Sequence, residues 1–416
     1  MPTLSQATRV WLKIGLLSFG GPAAQIALMH RMIVEENRWL TEQQFLNALS
    51  FCMLLPGPEA MQLATYSGWR LHGVKGGLIA GLLFVLPGAL IILALATIYA
   101  MLGDTLLIAA IFLGIKATVL IVVIEALLRI SKRILHSTAH WVIAALAFIG
   151  IFFLTLPFPL IIAVAALFGF FQSKTKGSAS KPDISPAATL KTIAIWLAIW
   201  WLPILALNLI TTQPILTEIA TFFSRLAVVT FGGAYAVLAY MGQDVVMQFG
   251  WLTAGEMMDG LGLAETTPGP LILVTEFVGF LAAYREGGLP LALLGATITL
   301  WVTFAPCFLW IFAGAPYIDW LGTQPRLKTA MAAITAAVVG VILNLSIWFA
   351  LHVFFATVIP TKYWMITIWQ PELATLDWRV VLLSVLSAIL MFKFHWSIVR
   401  VLVVIASLGA ALTLVA

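Results

Sequence analysis

The sequence is poor in charge. Asp, Glu, Lys and Arg make up 9% of its 416 residues, whereas 62% are hydrophobic and mean hydropathy is +1.06. A soluble domain carries about a quarter charged residues, so a soluble globular protein is excluded. Only two cysteines are present, which rules out a disulfide scaffold. Cys52 and Cys307 both lie in apolar sequence near proline and read as core thiols. No Walker A, HExxH or GxSxG pattern occurs, which leaves no nucleotide site, no zincin site and no hydrolase elbow. Six histidines are scattered near expected loop ends; His136 and His140 have i, i+4 spacing but sit in a basic loop, and no metal is expected. The alternation of a membrane β-barrel is missing, and the N-terminus lacks the pattern of a secretory signal.

What is there is long apolar sequence. Residues 76–101, 106–128, 141–171, 193–210 and 380–392 contain no charge except Lys116 and Glu125. Several are long enough to cross about 30 Å of hydrocarbon as helices. The expected fold class is an all-α polytopic membrane protein embedded in a lipid bilayer. The net charge of +5 is modest and reads as loop charge, not as a nucleic-acid surface.

Much of the chain occurs twice. Phe19-Gly20-Gly21 returns as Phe231-Gly232-Gly233, a shift of 212. Trp39-Leu40-Thr41 returns as Trp251-Leu252-Thr253 and Pro56-Gly57-Pro58 as Pro268-Gly269-Pro270, at the same shift. Lys13 maps onto Arg225. Beyond an insertion expected near 285–288 the shift becomes 219, pairing Pro87 with Pro306 and Lys116 with Thr335. The expected organisation is a first repeat over 1–172, a cytoplasmic linker over 173–188, a connecting transmembrane helix over 189–210 and a second repeat over 215–416.

Positive loops face the cytoplasm. Arg129, Lys132 and Arg133 place one loop there, and Lys174, Lys176, Lys181 and Lys191 place the linker there. The segment 141–171 must then cross and return, and Pro157 and Pro159 break it where a turn is needed. Residues 30–75 sum to zero charge, while residues 242–287 sum to −5. Opposite membrane orientation of the two repeats produces such a reversal, with the connecting helix supplying the flip.

Gly/Pro-interrupted segments at matching places in two repeats point to a transporter's binding site. Phe-Gly-Gly interrupts a helix, and Pro-Gly-Pro turns a re-entrant hairpin whose arms, 42–55 and 59–71, are short for a crossing. Pro58 would take the first helical position, with Glu59 and Gln62 in the opening turns and Pro270 in the matching place. Helix N-termini aim N–H groups and a partial positive charge at one point, which suits a small oxyanion. The candidate binding residues are Lys13, Phe19, Gly20, Gly21, Pro22, Pro56, Gly57, Pro58, Glu59, Gln62, Arg225, Phe231, Gly232, Gly233, Pro268, Gly269 and Pro270. Lys116 and Glu276 are candidates for charge or proton coupling. The competing reading of the motifs is packing kinks; that of Lys13 and Arg225 is snorkelling to the interface.

At these residues the chain resembles the chromate ion transporter family in its long, two-domain form. The resemblance rests on Ser18-Phe19-Gly20-Gly21-Pro22, on Pro56-Gly57-Pro58 with Glu59 and Gln62, and on Phe84-Val85-Leu86-Pro87-Gly88. Thr230-Phe231-Gly232-Gly233 and Thr267-Pro268-Gly269-Pro270 repeat it, although Ala234 replaces the proline that Pro22 supplies. The resemblance implies an inner-membrane carrier with antiparallel halves that exports chromate from the bacterial cytoplasm, gives resistance and is open to the tetrahedral analogue sulfate. No cofactor is implied, and a homodimer is compatible with it. The alternatives are a sulfate or other anion carrier and a membrane-embedded lipid enzyme.

Overall fold

A computed structural model describes residues 2–103, 105–173, 185–211, 213–231, 234–321, 324–364 and 366–415. Most of the expected linker, and both Gly232 and Gly233, lie outside the described residues. The first repeat forms α1 (Leu4–Leu17), α2 (Gly21–His30) running into a π-turn (Arg31–Glu36), α3 (Glu42–Cys52), α4 (Glu59–Leu102), α5 (Leu106–Ile134), α6 (Thr138–Phe152) and α7 (Phe158–Gln172). Helix α8 (Pro186–Ile210) follows where the connecting helix is expected. The second repeat forms α9 (Pro214–Val229), α10 (Ala234–Gln243) with its own π-turn (Asp244–Gln248), α11 (Ala254–Thr266), α12 (Val274–Gly314), a short α13 (Ile318–Leu321) and α14 (Pro325–Phe354). It ends with strands β1 (Val358–Tyr363) and β2 (Ile366–Pro371), then α15 (Trp378–Ala388) and α16 (Ile398–Val415).

Helices α4, α5 and α14, the span 186–207 within α8 and the span 271–317 containing α12 are long and apolar enough to cross a membrane. Large apolar side chains stay exposed along them and along α6 and α7, among them Leu90, Leu146, Val164 and Leu209. Water does not favour such a surface but hydrocarbon covers it. The chain is an all-α polytopic membrane protein with one small β-ribbon.

Neither α4 nor α12 is a single rod. In α4 the helix fails at His72 and Gly73, and Gly73 has φ 60° and ψ −153°. In α12 it fails at Gly287 and Gly288, and Gly288 has φ 66° and ψ −161°. That backbone region is open essentially to glycine alone. The chain folds back there: a β-carbon on Gly68 would meet the carbonyl oxygen of Gly76, and one on Gly279 would meet the Thr299 side chain. Both helices are antiparallel hairpins with a glycine tip. The insertion expected near 285–288 is shared between the two arms. Gly57 to Gly73 is 16 residues against 19 for Gly269 to Gly288, and Gly73 to Pro87 is 14 against 18 for Gly288 to Pro306. The second hairpin is thus about one turn longer on each side of its tip. Gly73→Ala or Gly288→Ala is expected to cost about 1–3 kcal/mol, read as a lowered melting midpoint in detergent.

Two compact units are built from both repeats. The first takes residues 1–96, 172–234 and 267–329. In it, one cleft is lined by Pro2, by residues 37–40 and by Leu71, so the chain start, the turn after α2 and the α4 tip share one end. Helices α1 and α2 therefore run out and back, with Phe-Gly-Gly at the far end. The expected interrupted helix is a reversal instead.

The second unit takes residues 97–171, 235–266 and 330–416. Its helices touch through small residues: Gly114 lies against the Ile405 backbone and Gly340 against that of Ala144. The break expected at 156–159 falls between α6 and α7. Thr155 closes α6 with φ 50°, and Leu156 N–H reaches back to Gly150 O at 3.0 Å. His395 does the same after α15, with φ 53° and Trp396 N–H bonded to Leu390 O at 3.1 Å. The ribbon has no counterpart among the elements expected from sequence; it is antiparallel and pairs Val358 with Pro371 and Tyr363 with Ile366. It occupies the α14–α15 connection, which the first repeat makes with residues 135–137.

The charge balance also changes meaning. Asp259, Glu265 and Glu276 count as loop acids in the sequence, but all three are buried within helices. Without them the second stretch holds Asp244, Glu256 and Glu286 against Arg285, a net of −2. The sign of the asymmetry remains; its size does not.

Candidate functional site

In the first unit the two kinds of break hold one another. Helix α1 starts with a capping box from Thr3 and Gln6 and buries Ala7, Trp11, Ile14 and Gly15 along one stripe. It stops at Ser18, whose hydroxyl donates to Ile14 O at 2.6 Å and competes with the helical ladder. Helix α9 stops identically: the Thr230 hydroxyl donates to Leu226 O at 2.5 Å. Each stop frees a backbone carbonyl. Ser18 O accepts from Gly269 N–H at 2.8 Å, and Thr230 O accepts from Gly57 N–H at 2.8 Å. Ser18 and Thr230 are equivalent at the shift of 212, as are Gly57 and Gly269. The Phe-Gly-Gly break of each repeat therefore anchors the Pro-Gly-Pro turn of the other, as a pseudo-two-fold axis requires. Gly57 (φ 120°) and Gly269 (φ 92°) hold conformations that disfavour any side chain.

The same exchange governs packing. A β-carbon on Gly57 would lie 2.9 Å from Cys307 Sγ and 2.8 Å from Gln62 Nε2. Gly88, equivalent to Cys307 at the shift of 219, lies directly against the carbonyl of Pro268. Two buried glutamines complete the junction. Gln62 donates from Nε2 to Pro56 O at 2.7 Å. Gln25 donates from Nε2 to Gly269 O at 2.6 Å and to Ser18 O at 3.2 Å. The Oε1 atom of each has no protein partner. Their equivalents, Val237 and Val274, are apolar, so this polarity belongs to the first repeat alone.

The candidate residues divide accordingly. Pro56, Gly57, Pro58, Gln62, Pro268, Gly269 and Pro270 are buried at the junction. The N–H groups of Gly57 and Gly269 are taken by carbonyls, which corrects the expectation that they are free for an oxyanion. The first turns of α2, behind Pro22, and of α4 carry backbone N–H groups that the helical ladder does not use. Pro58 caps α4, with its carbonyl accepting from Gln62 N–H at 3.1 Å, instead of entering the helix. In the second repeat a 3₁₀ turn, Leu271–Leu273, intervenes before α12. Phe19, Gly20, Gly21 and Pro22 stay at least partly exposed, with Gly20 at φ 85° and Gly21 at φ 76°. Phe231 is partly buried and bonds Val229 O. Lys13 and Arg225 lie on exposed faces of α1 and α9, and the structure does not bring them to the junction. Glu276, in the first turn of α12, is buried with no protein partner for its Oε2.

Lys116 lies in the second unit. Its Nζ is 3.3 Å from Oδ2 of Asp259, which also accepts from Tyr99 Oη at 2.8 Å. Nearby on α11, Glu265 accepts from Tyr235 Oη at 2.7 Å. Asp259, Glu265, Tyr99, Tyr235 and Gln25 are not among the candidates drawn from sequence. Three acids in the short α11, Glu256, Asp259 and Glu265, were the available signal for the first two.

Comparison with known proteins is consistent with this architecture. The family model described as Chromate transporter matches residues 5–170 and again 217–413. A probable chromate transport protein of Synechococcus elongatus is 32% identical over 342 residues, covering 82% of this chain and 83% of the relative. A chromate transport protein of Pseudomonas aeruginosa is 34% identical over 342 residues, covering 80% and 77%. An uncharacterized transporter of Bacillus subtilis is 27% identical over 173 residues, which is 41% of this chain but 87% of the relative, about one repeat. No solved structure gives a significant match. Matched by one family model over both of its halves, this chain belongs to the chromate transporter family.

Proposed function

We propose that the protein is a secondary carrier that exports chromate from the cytoplasm across the inner membrane by alternating access, and so gives chromate resistance. The observation that carries the mechanism is the unequal burial of equivalent residues. Ala27, Leu46 and Asn47 are exposed, while their equivalents Ala239, Met258 and Asp259 are buried. Two repeats of one design hold opposite states, and exchanging those states moves access from one face to the other. The two Pro-Gly-Pro turns, tied crosswise at depth, form the pivot.

In this reading the oxyanion meets the first-turn amides behind Pro22 and in the opening turn of α4, with the orphaned glutamine oxygens accepting from its hydration water. Lys13 and Arg225 act as exposed attractors, and Glu276 is the group able to carry a proton. A dianion leaving a negative-inside cell gains about 2.3 kcal/mol per charge per 100 mV, so export needs no nucleotide. Sulfate is the competing cargo. The proposed boundaries are a first repeat over 1–172, a linker over 173–188, a connecting helix over 189–210 and a second repeat over 215–416.

Radiolabelled chromate uptake in everted vesicles tests this. Potential-driven uptake is expected, and uptake in right-side-out vesicles only would reverse the direction. The inverted arrangement has its own check. Cysteine introduced at Ser137 should label from the cytoplasm and cysteine at Thr375 from outside; labelling from one side removes the inversion.

A further inference from the structure

We infer that the cleft at the tip end of the first repeat's hairpins is a second oxyanion site, a loading site in which Arg38 and Arg70 take a tetrahedral dianion before it reaches the junction. The inference rests on the oxyanion-carrier reading and adds a place and two residues to it.

The cleft has a volume of about 490 Å³ and is lined by Arg38, Arg70, Asn37, Trp39, Gln44 and Leu71. It is large enough to admit an anion with its water. The acids around it are committed elsewhere. His30 lies 2.6 Å from Glu42 and 3.1 Å from Glu35, and Arg31 lies 3.4 Å from Glu36. Among the described residues no acid pairs with Arg38 or Arg70. Two guanidinium groups without counter-ions face one concave space, and each presents a planar fork suited to two oxygens at once.

The backbone sets what can replace Arg38. Arg38 sits at φ 51°, in the left-handed region. The turn that requires this occurs in both repeats. Trp39 N–H reaches back to Ile33 O at 2.8 Å, and Trp251 N–H to Val245 O at 3.0 Å. In the second repeat the left-handed position is Gly250, with φ 63°. Glycine takes it without strain. Thr155 and His395 hold the same place in the turns that follow α6 and α15, so the turn accepts a side chain and does not need a guanidinium.

The asymmetry between repeats gives the site a direction. Counted from the tips, Arg70 stands three residues before Gly73 and Arg285 three before Gly288, so the tip arginine is common to both repeats. What the first repeat adds is Arg38, where the second has Gly250. Lys75, just beyond the Gly73 tip, adds a third base at the same end. A mouth that gathers Arg38, Arg70 and Lys75 raises the local anion concentration there, and the positive-inside rule assigns that face to the cytoplasm. An exporter loads from that side.

Arg38→Gly tests this cleanly, because it installs the residue that the second repeat uses in the same turn. The assay is chromate uptake into proteoliposomes titrated for half-saturation, beside the melting midpoint of the purified protein. The midpoint is expected to hold or rise, while half-saturation rises about threefold to tenfold, the loss of one partly hydrated charge-assisted contact. Arg70→Ala should act in the same direction, and the double variant should show a weaker salt dependence than the wild type. An intact midpoint with unchanged half-saturation and unchanged salt dependence would overturn the site. If the wild type carries no chromate, the carrier reading fails. Equilibrium dialysis of chromate against the purified protein then decides the cleft separately: binding lost in the double variant supports it, and equal binding removes it.

Discussion

Gly88→Val is expected to abolish chromate transport while leaving the protein inserted in the membrane. Gly88 lies in the returning arm of α4, one residue past Pro87. A β-carbon there would collide with the carbonyl oxygen of Pro268 and stand 2.6 Å from Leu273 Cδ1. The first obstacle is backbone and cannot rotate away. Pro268 must therefore move, and Gly269 next to it is the residue whose N–H is held by Ser18 O. Overpacking of this kind costs about 1–3 kcal/mol, and a lost backbone hydrogen bond adds about 1 kcal/mol. The total falls on one of two symmetric tethers, so the junction loses its balance more than the protein loses its fold. Cys307, the equivalent position, faces Gly57 with a side chain already in place, so Cys307→Ala should be mild. Size-exclusion in detergent reports folding, and vesicle uptake reports transport. Wild-type uptake by Gly88→Val would show that the junction is passive packing. Should the valine variant fail to insert, Gly88→Ala meets the same carbonyl with less bulk and keeps the test open.

Much of this junction was legible in the sequence, because duplication marks what both repeats need. Phe-Gly-Gly and Pro-Gly-Pro recur at one shift, and the structure puts both motifs of the first repeat and the Pro-Gly-Pro turn of the second in one unit. Their partnership was not legible. Ser18 to Gly269 and Thr230 to Gly57 are backbone contacts, and a backbone carbonyl leaves no mark on composition. The crosswise pairing follows from chain reversals at Phe-Gly-Gly and at the Gly73 and Gly288 tips. Hydropathy cannot register those reversals, because two apolar arms read as one apolar run. The ribbon at 358–371 escaped for another reason: its short strands lie between helices long enough to dominate any window. Gln25 was hidden by apolar neighbours and is recognisable only through a contact more than two hundred residues away.

Lys116→Met is expected to destabilise the second unit sharply, and Lys116→Met with Asp259→Asn to recover most of the loss. Lys116 and Asp259 come from different repeats, and the mirror positions, Thr335 and Asn47, carry no charge. Symmetry therefore does not require the pair, and the chain carries it once. Asp259 is 3% exposed, and its Oδ1 has no protein partner. Its charge rests on Lys116 and on the Tyr99 hydroxyl, both at Oδ2. Removing one member of a buried pair leaves the other charge uncompensated, at about 3–5 kcal/mol. Lys116 is partly open, so the low end applies. Taking both charges away removes the uncompensated carboxylate, and the amide oxygen that Asp259→Asn introduces would still accept from Tyr99. Melting midpoints of the two single variants and the double variant form a cycle whose coupling should be about 1–3 kcal/mol. Additive losses would mean that the two groups do not sense each other. A double variant that melts like wild type but no longer transports would give the pair a second role, as the charge that changes partner when the repeats exchange states.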